Sequence, residues 1–181
     1  MDEIYKLFSH AKLDLAGKVK WGEDLNEDRE GIYIIALPEN VNHAPIDRDK
    51  IESWKSIATN MTLDNHANPS TDKIIERLSS FWIPDTKILY IGQTKKSLNS
   101  RLRQFYRHTL GNRAPHAGGH WIKILKNIDK LDIYFSVSKD PKDKETDLLL
   151  NFTNAHRAFP FANLTCKGFG NKKHRIGNSR L

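Results

Sequence analysis

Near the N-terminus, Ile4, Leu7, Phe8, Ala11 and Leu15 recur at the spacing that places side chains on one face of a helix. This predicts an amphipathic helix with Asp2 as its cap and Gly17 as its end. An acidic stretch over residues 23–30 leads to Gly31-Ile32-Tyr33-Ile34-Ile35-Ala36-Leu37, a β-branched run closed by Pro38 that predicts a strand. Residues 38–86 follow another rhythm. Ile51, Trp54, Ala58 and Met61 form one helical stripe; Ile74, Ile75, Leu78 and Trp82 form a second, capped by Ser70 or Thr71. The polar segment 64–69 between them reads as a loop. The whole is a helical insertion, too short to hold a core of its own.

A second strand is expected at Lys87-Ile88-Leu89-Tyr90-Ile91-Gly92. Ser97 then caps a helix carrying Leu98, Leu102, Phe105 and Leu110, and another helix is expected from about Gly119, with Trp121, Ile124, Leu125 and Ile128 inward. Leu131, Ile133, Phe135 and Val137 alternate with Asp132, Tyr134, Ser136 and Ser138, the period of a third strand. Asp140 as cap and Pro141 in the first turn open a last helix, with Leu148, Leu149, Phe152 and Ala155 as its buried stripe. The expected architecture is α+β: a small three-stranded, antiparallel-type sheet flanked by helices, with the insertion between the first two strands. Residues 166–181 read as a basic tail.

Charge changes the picture through its distribution. The net charge is +7, yet residues 1–84 hold 10 Lys and Arg against 15 Asp and Glu, so the excess of positive charge lies in the second half. Such a field suits a polyanionic partner. One cysteine, Cys166, allows no intrachain disulfide and no multi-cysteine zinc cage. No apolar run approaches membrane-spanning length and no secretory signal is visible, so a soluble, cytoplasmic protein is the expectation.

The tripeptides Gly31-Ile32-Tyr33 and Tyr90-Ile91-Gly92 sit on the first two predicted strands. Tyr90-Ile91-Gly92-Gln93-Thr94 leads through Ser97 to Arg101-Leu102; Lys144-Glu145-Thr146-Asp147 opens the last helix; Phe159-Pro160-Phe161-Ala162-Asn163 follows it. In this order and on these elements, the chain resembles the GIY-YIG nuclease superfamily over residues 31–37 and 87–165, and among its members the stand-alone, restriction-type endonucleases. The resemblance implies a phosphodiester-cleaving site of Tyr33, Tyr90, Arg101, Glu145 and Asn163. One tyrosine would help deprotonate the attacking water, the other would orient water or phosphate, and Asn163 would tie the closing loop to the site. It also implies DNA, favoured over RNA, as substrate, and a homodimer if the recognised sequence is short and symmetric.

The residue types fit that chemistry. Glu145 offers a hard oxygen ligand for Mg²⁺ or Mn²⁺. Arg101 can hold a phosphate oxygen with a fork of donors. A tyrosine, with its ordinary pKa near 10, is a poor base unless a cation lowers it. Where relatives often place a His or Tyr four positions after the helix arginine, this chain has Phe105. Tyr106, His108, His116 and His120 are the auxiliary candidates. His116 and His120 stand four apart like a metal pair, but Gly118-Gly119 between them argues against a continuous helix and a zinc site. Residues 95–113 contain no acid, and Lys95, Lys96, Arg103, Arg107 and Arg113 can track a phosphate backbone. Lys172, Lys173 and Arg175 offer a second anchor. An inactive nucleic-acid-binding protein of this fold and a protein-interaction module are the competing readings.

Overall fold

A computed structural model describes residues 3–111, 120–166, 170–171 and 177–178. In chain order it runs α1 (Glu3–His10), β1 (Gly17–Lys20), β2 (Gly31–Ala36), α2 (Arg48–Ile57), β3 (Met61–Leu63), β4 (His66–Ala67), α3 (Thr71–Ser79), β5 (Ile88–Thr94), α4 (Leu98–Arg107) and α5 (His120–Lys123). A 3-10 turn (Ile128–Lys130), β6 (Asp132–Val137), α6 (Pro141–His156), β7 (Thr165–Cys166), β8 (Gly170–Asn171) and β9 (Gly177–Asn178) complete it. Asp2, Arg113, His116, Lys172, Lys173 and Arg175 lie outside the described residues.

The main sheet has four strands, not three, in the order β1-β6-β2-β5, all antiparallel. The added strand is β1. Helix α1 buries Ile4, Leu7 and Phe8 but stops at His10, and Lys12 takes a left-handed φ of 54°. From Leu13 the chain alternates instead: Leu13, Leu15, Gly17, Val19 and Trp21 are more buried than Asp14, Ala16, Lys18 and Lys20. Gly17 therefore starts a strand where the sequence suggested a helix end. This edge is charged in a way that blunts further pairing. Lys18 and Lys20 both reach the buried Asp132 carboxylate, at 3.2 and 2.6 Å.

Strand β2 is buried along its whole length because it is central and covered on both faces. Tyr33 and Ile35 belong to one buried cluster with Leu98, Leu102 and Phe105 of α4, Trp121 of α5, Ile51 and Trp54 of α2, and Ile74 and Leu78 of α3. Ile32, Ile34 and Ala36 belong to the other, with α1 and with Leu148, Leu149 and Phe152 of α6. The result is three layers, helices on either side of the sheet, with the insertion sharing the first core.

Local corrections follow from backbone geometry. The segment read as a loop at 64–69 contains a hairpin: β3 pairs with β4 across Asp64 and Asn65, at φ 50° and 65°. Two successive left-handed residues give the turn whose twist suits a hairpin. Helix α5 has four residues where a longer helix was expected. Asn127 at φ 53° then turns the chain into the 3-10 turn, although Trp121, Ile124 and Leu125 remain buried. Ser70 and Ser97 do cap α3 and α4, accepting from Lys73 N and Ser100 N. Asp140 precedes Pro141 but makes no side-chain capping bond, and Ala155 is exposed. From the tail, β8 pairs with β7 and β9 pairs with β3. No helix among the described residues is long and apolar enough to cross a membrane.

Candidate active site

Tyr33 lies directly opposite Gly92 in the β2–β5 ladder, and Tyr90 precedes Gly92 by two residues, so it points to the same face. The phenol rings are 6.0 Å apart between centroids and inclined at 39°. Glycine is what lets them meet. A Cβ on residue 92 would stand 2.6 Å from the Tyr90 ring and 2.7 Å from both Cζ and the hydroxyl of Tyr33. At Gly31 a Cβ would be driven into the Ser136 carbonyl oxygen and lie 2.9 Å from Leu98 Cδ1, because β2 enters the sheet tight against β6 and α4. The glycines of both tripeptides thus have steric roles that their use as landmarks did not supply.

Helix α4 brings the cation. Leu98, Leu102 and Phe105 anchor it to the sheet, which turns Arg101 in its first turn towards the phenols. The Tyr33 hydroxyl feels both the Arg101 guanidinium and the Tyr90 hydroxyl in its titration, yet neither approach has the geometry of a full hydrogen bond. Arg101 Nε is likewise buried without a bond. Glu145 arrives from the opposite layer, near the start of α6. Its carboxylate lies within electrostatic range of Tyr33, Tyr90 and Arg101.

Burial dominates the titration of all three acids. It pushes the Tyr33 phenol up, opposed by Arg101, and holds Tyr90 well above the ordinary range. Both phenols are therefore neutral hydrogen-bond donors near pH 7. Burial also raises Glu145 to about 7, and the attraction of Arg101 only partly offsets it. A carboxylate half-protonated near neutrality, in a site with unsatisfied polar atoms, is suited to a cation that would restore its charge.

Among the described residues no three His, Cys, Asp or Glu side chains cluster as a metal cage. The donor set fits Mg²⁺ or Mn²⁺ of the kind held by one carboxylate, waters and substrate phosphate oxygens. Glu145 is the residue that would hold it.

The remaining candidates divide. Asn163 is buried, with its amide bonded on both sides to the Ile91 backbone. It ties the loop after α6 to the segment of β5 that carries Tyr90 and Gly92. Phe105 is fully buried, edge-on to Tyr90 at 5.9 Å and to Trp21 at 5.1 Å, so it buttresses the tyrosine. The Tyr106 hydroxyl is buried and within electrostatic reach of Tyr33, and burial raises its titration. His108, at the end of α4, has its Nε2 at 2.9 Å from that of His120, so these two are brought to each other. Lys95, Lys96, Arg103 and Arg107 are exposed along α4 and its approach. Arg103, however, is already engaged by Asp24, Nε to Oδ1 at 2.6 Å. The sequence reading missed this pairing, as it missed Trp21, which packs at a tilt against Tyr106, 5.1 Å between ring centroids.

Compared with protein-family models, with curated proteins and with solved structures, the chain matches none.

Proposed function

We propose that the chain is a divalent-metal-dependent endonuclease that hydrolyses phosphodiester bonds in DNA, as its resemblance to GIY-YIG nucleases suggests. The observation that carries this reading is the shared electrostatic neighbourhood of Tyr33, Tyr90, Arg101 and Glu145, drawn from two strands and two helices on both faces of the sheet. Four groups of these types, separated in sequence and largely withdrawn from water, are costly to bring together without a ligand to share.

Arg101 has the donors to take a non-bridging phosphate oxygen and to neutralise charge that grows in the transition state. The Tyr33 hydroxyl, lacking a bond of its own, is available to orient the attacking water, and Tyr90 to donate to water or phosphate. A bound Mg²⁺ or Mn²⁺ would supply Lewis-acid polarisation of the phosphate and a more acidic water. Glu145, raised to about 7 by burial, is the residue that would hold that ion or accept a proton. A restriction-type setting in the cytoplasm, with a homodimer on a short symmetric sequence, belongs to the same proposal.

Purified protein is expected to nick or linearise plasmid DNA with Mg²⁺ or Mn²⁺, and Glu145→Ala to abolish cutting while keeping DNA affinity. A second reading, a nucleic-acid-binding protein without chemistry, is favoured by one observation: a fully buried Phe105 in place of a residue able to carry a proton. Salt-sensitive binding with no cleavage by either metal would select it.

A further inference from the structure

The acidic lead-in to β2 lies along α4. Trp21 packs on Phe105 and Tyr106. Leu25 is buried to 1% exposure. The carbonyls of Glu27 and Arg29 accept from Asn99 N and Leu98 N, both at 3.0 Å, and Asp28 Oδ1 accepts from Ser97 Oγ at 2.9 Å. The first backbone N–H groups of α4, which an external anion would otherwise seek, are thus taken by the chain itself. Between these anchors Asp24 closes on the Arg103 guanidinium with both carboxylate oxygens and also acts on Arg107, one turn further along.

We propose that the Arg103–Arg107 face of α4 is a seat for a backbone phosphate of nucleic acid, and that Asp24 occupies it as a built-in stand-in which binding displaces. The proposal rests on the reading that the chain acts on nucleic acid. A carboxylate held by both prongs of an arginine presents two oxygens to the same donors that a phosphodiester would use. Asp24 and Arg103 are 53% and 46% exposed, so solvent screens their attraction and the pair is readily exchanged. Leu25 and the backbone bonds at 27–29 hold the strap beside it. Release of the seat then needs rotation of one side chain, not detachment of the segment. Arg103 and Arg107 share a face at helical spacing, and Arg101 serves the separate, inward site. A polyanion must outcompete Asp24 to use the seat, which penalises weak, non-specific contacts.

The test is binding of a fluorescent duplex by the full chain in EDTA across a salt series. Asp24→Asn should tighten binding about three- to tenfold at low salt, the scale of one added charge contact. Glu52→Gln on α2, the same charge change on an exposed residue of the insertion, should do much less. Arg103→Gln should weaken binding, lower the salt slope by about one, and erase the gain from Asp24→Asn. Equal gains from Asp24→Asn and Glu52→Gln, a gain that survives Arg103→Gln, or no binding of duplex at all would each overturn the proposal. Cleavage is scored separately with metal. Loss of the nuclease reading with the Asp24 effect intact leaves the phosphate seat standing, and cutting without that effect removes the seat alone.

Discussion

Asn163 holds both backbone polar groups of Ile91: its Oδ1 accepts from Ile91 N and its Nδ2 donates to Ile91 O, each at 2.9 Å. Strand β5 is an outer strand of the sheet, and the amide does there what a neighbouring strand would do. Ala162 N adds a bond to Leu89 O at 2.8 Å. The loop after α6 therefore fixes the segment Tyr90-Ile91-Gly92. Asn163→Ala strands a buried donor and acceptor, and should lower unfolding free energy by about 2–4 kcal/mol in urea titrations. Cleavage should fall with it because Tyr90 loses its fixed backbone. An unchanged urea midpoint would remove the positioning role.

Gly92→Ala tests the steric logic of the phenols. The new methyl meets the Tyr33 hydroxyl and the Tyr90 ring, so at least one must move. A shift near 1 Å at a reacting group costs on the order of 10²-fold in rate. The expected outcome is that loss in single-turnover cleavage with duplex affinity retained. Wild-type turnover would show that the two rings need not meet.

Tyr33→Phe separates stability from chemistry. The hydroxyl is buried without a bond of good geometry, so its removal should leave thermal stability equal or slightly higher. The rate should drop by about 10²- to 10⁴-fold if the hydroxyl handles the water. A large loss of melting temperature would instead mark Tyr33 as a structural residue.

Glu145→Gln makes a pH-dependent prediction. Burial raises the carboxyl from 4.5 to about 7, so the folded state favours the protonated form. That stabilisation is complete below pH 4.5 and is lost as pH rises through 7. The loss is at most about 3 kcal/mol for a shift of this size, less because the side chain is only half-buried. Glutamine carries no charge at any pH. The variant should match wild type in stability near pH 4.5 and exceed it at pH 8 in metal-free buffer, while cutting nothing. Equal stability at both pH values would show that the carboxylate carries no burial cost.

Much of this arrangement was legible locally. The β2, β5 and β6 segments announce themselves by β-branched runs or strict alternation, and Ser97 by standing one residue before Leu98; Ser70 and Thr71 compete for the cap of α3 until the backbone singles out Ser70. Strand β1 was legible too, in the alternation from Leu13 to Trp21, but Gly17 was read as a stop. The Asp64-Asn65 turn was missed because polar residues in a short segment look alike until their φ values are known. The pairing of Asp24 with Arg103 could not be read at all. It joins residues far apart in sequence, and only the docking of Leu25 beside α4 brings them together. The four site residues could be ordered along the chain, but the close approach of the two phenols depends on Gly92 having no side chain.

Glu145 is carried by a helix on one face of the sheet and the phenols by strands that turn them to the other, and this sets a limit on partial unfolding. Loosening α6 from the sheet would carry the carboxylate away while Tyr33, Tyr90 and Arg101 stayed in place on their own side. Such a half-detached state would keep most of its circular dichroism and the basic face of α4. It would lack the carboxylate, so on the nuclease proposal cleavage should disappear on heating before the fold does.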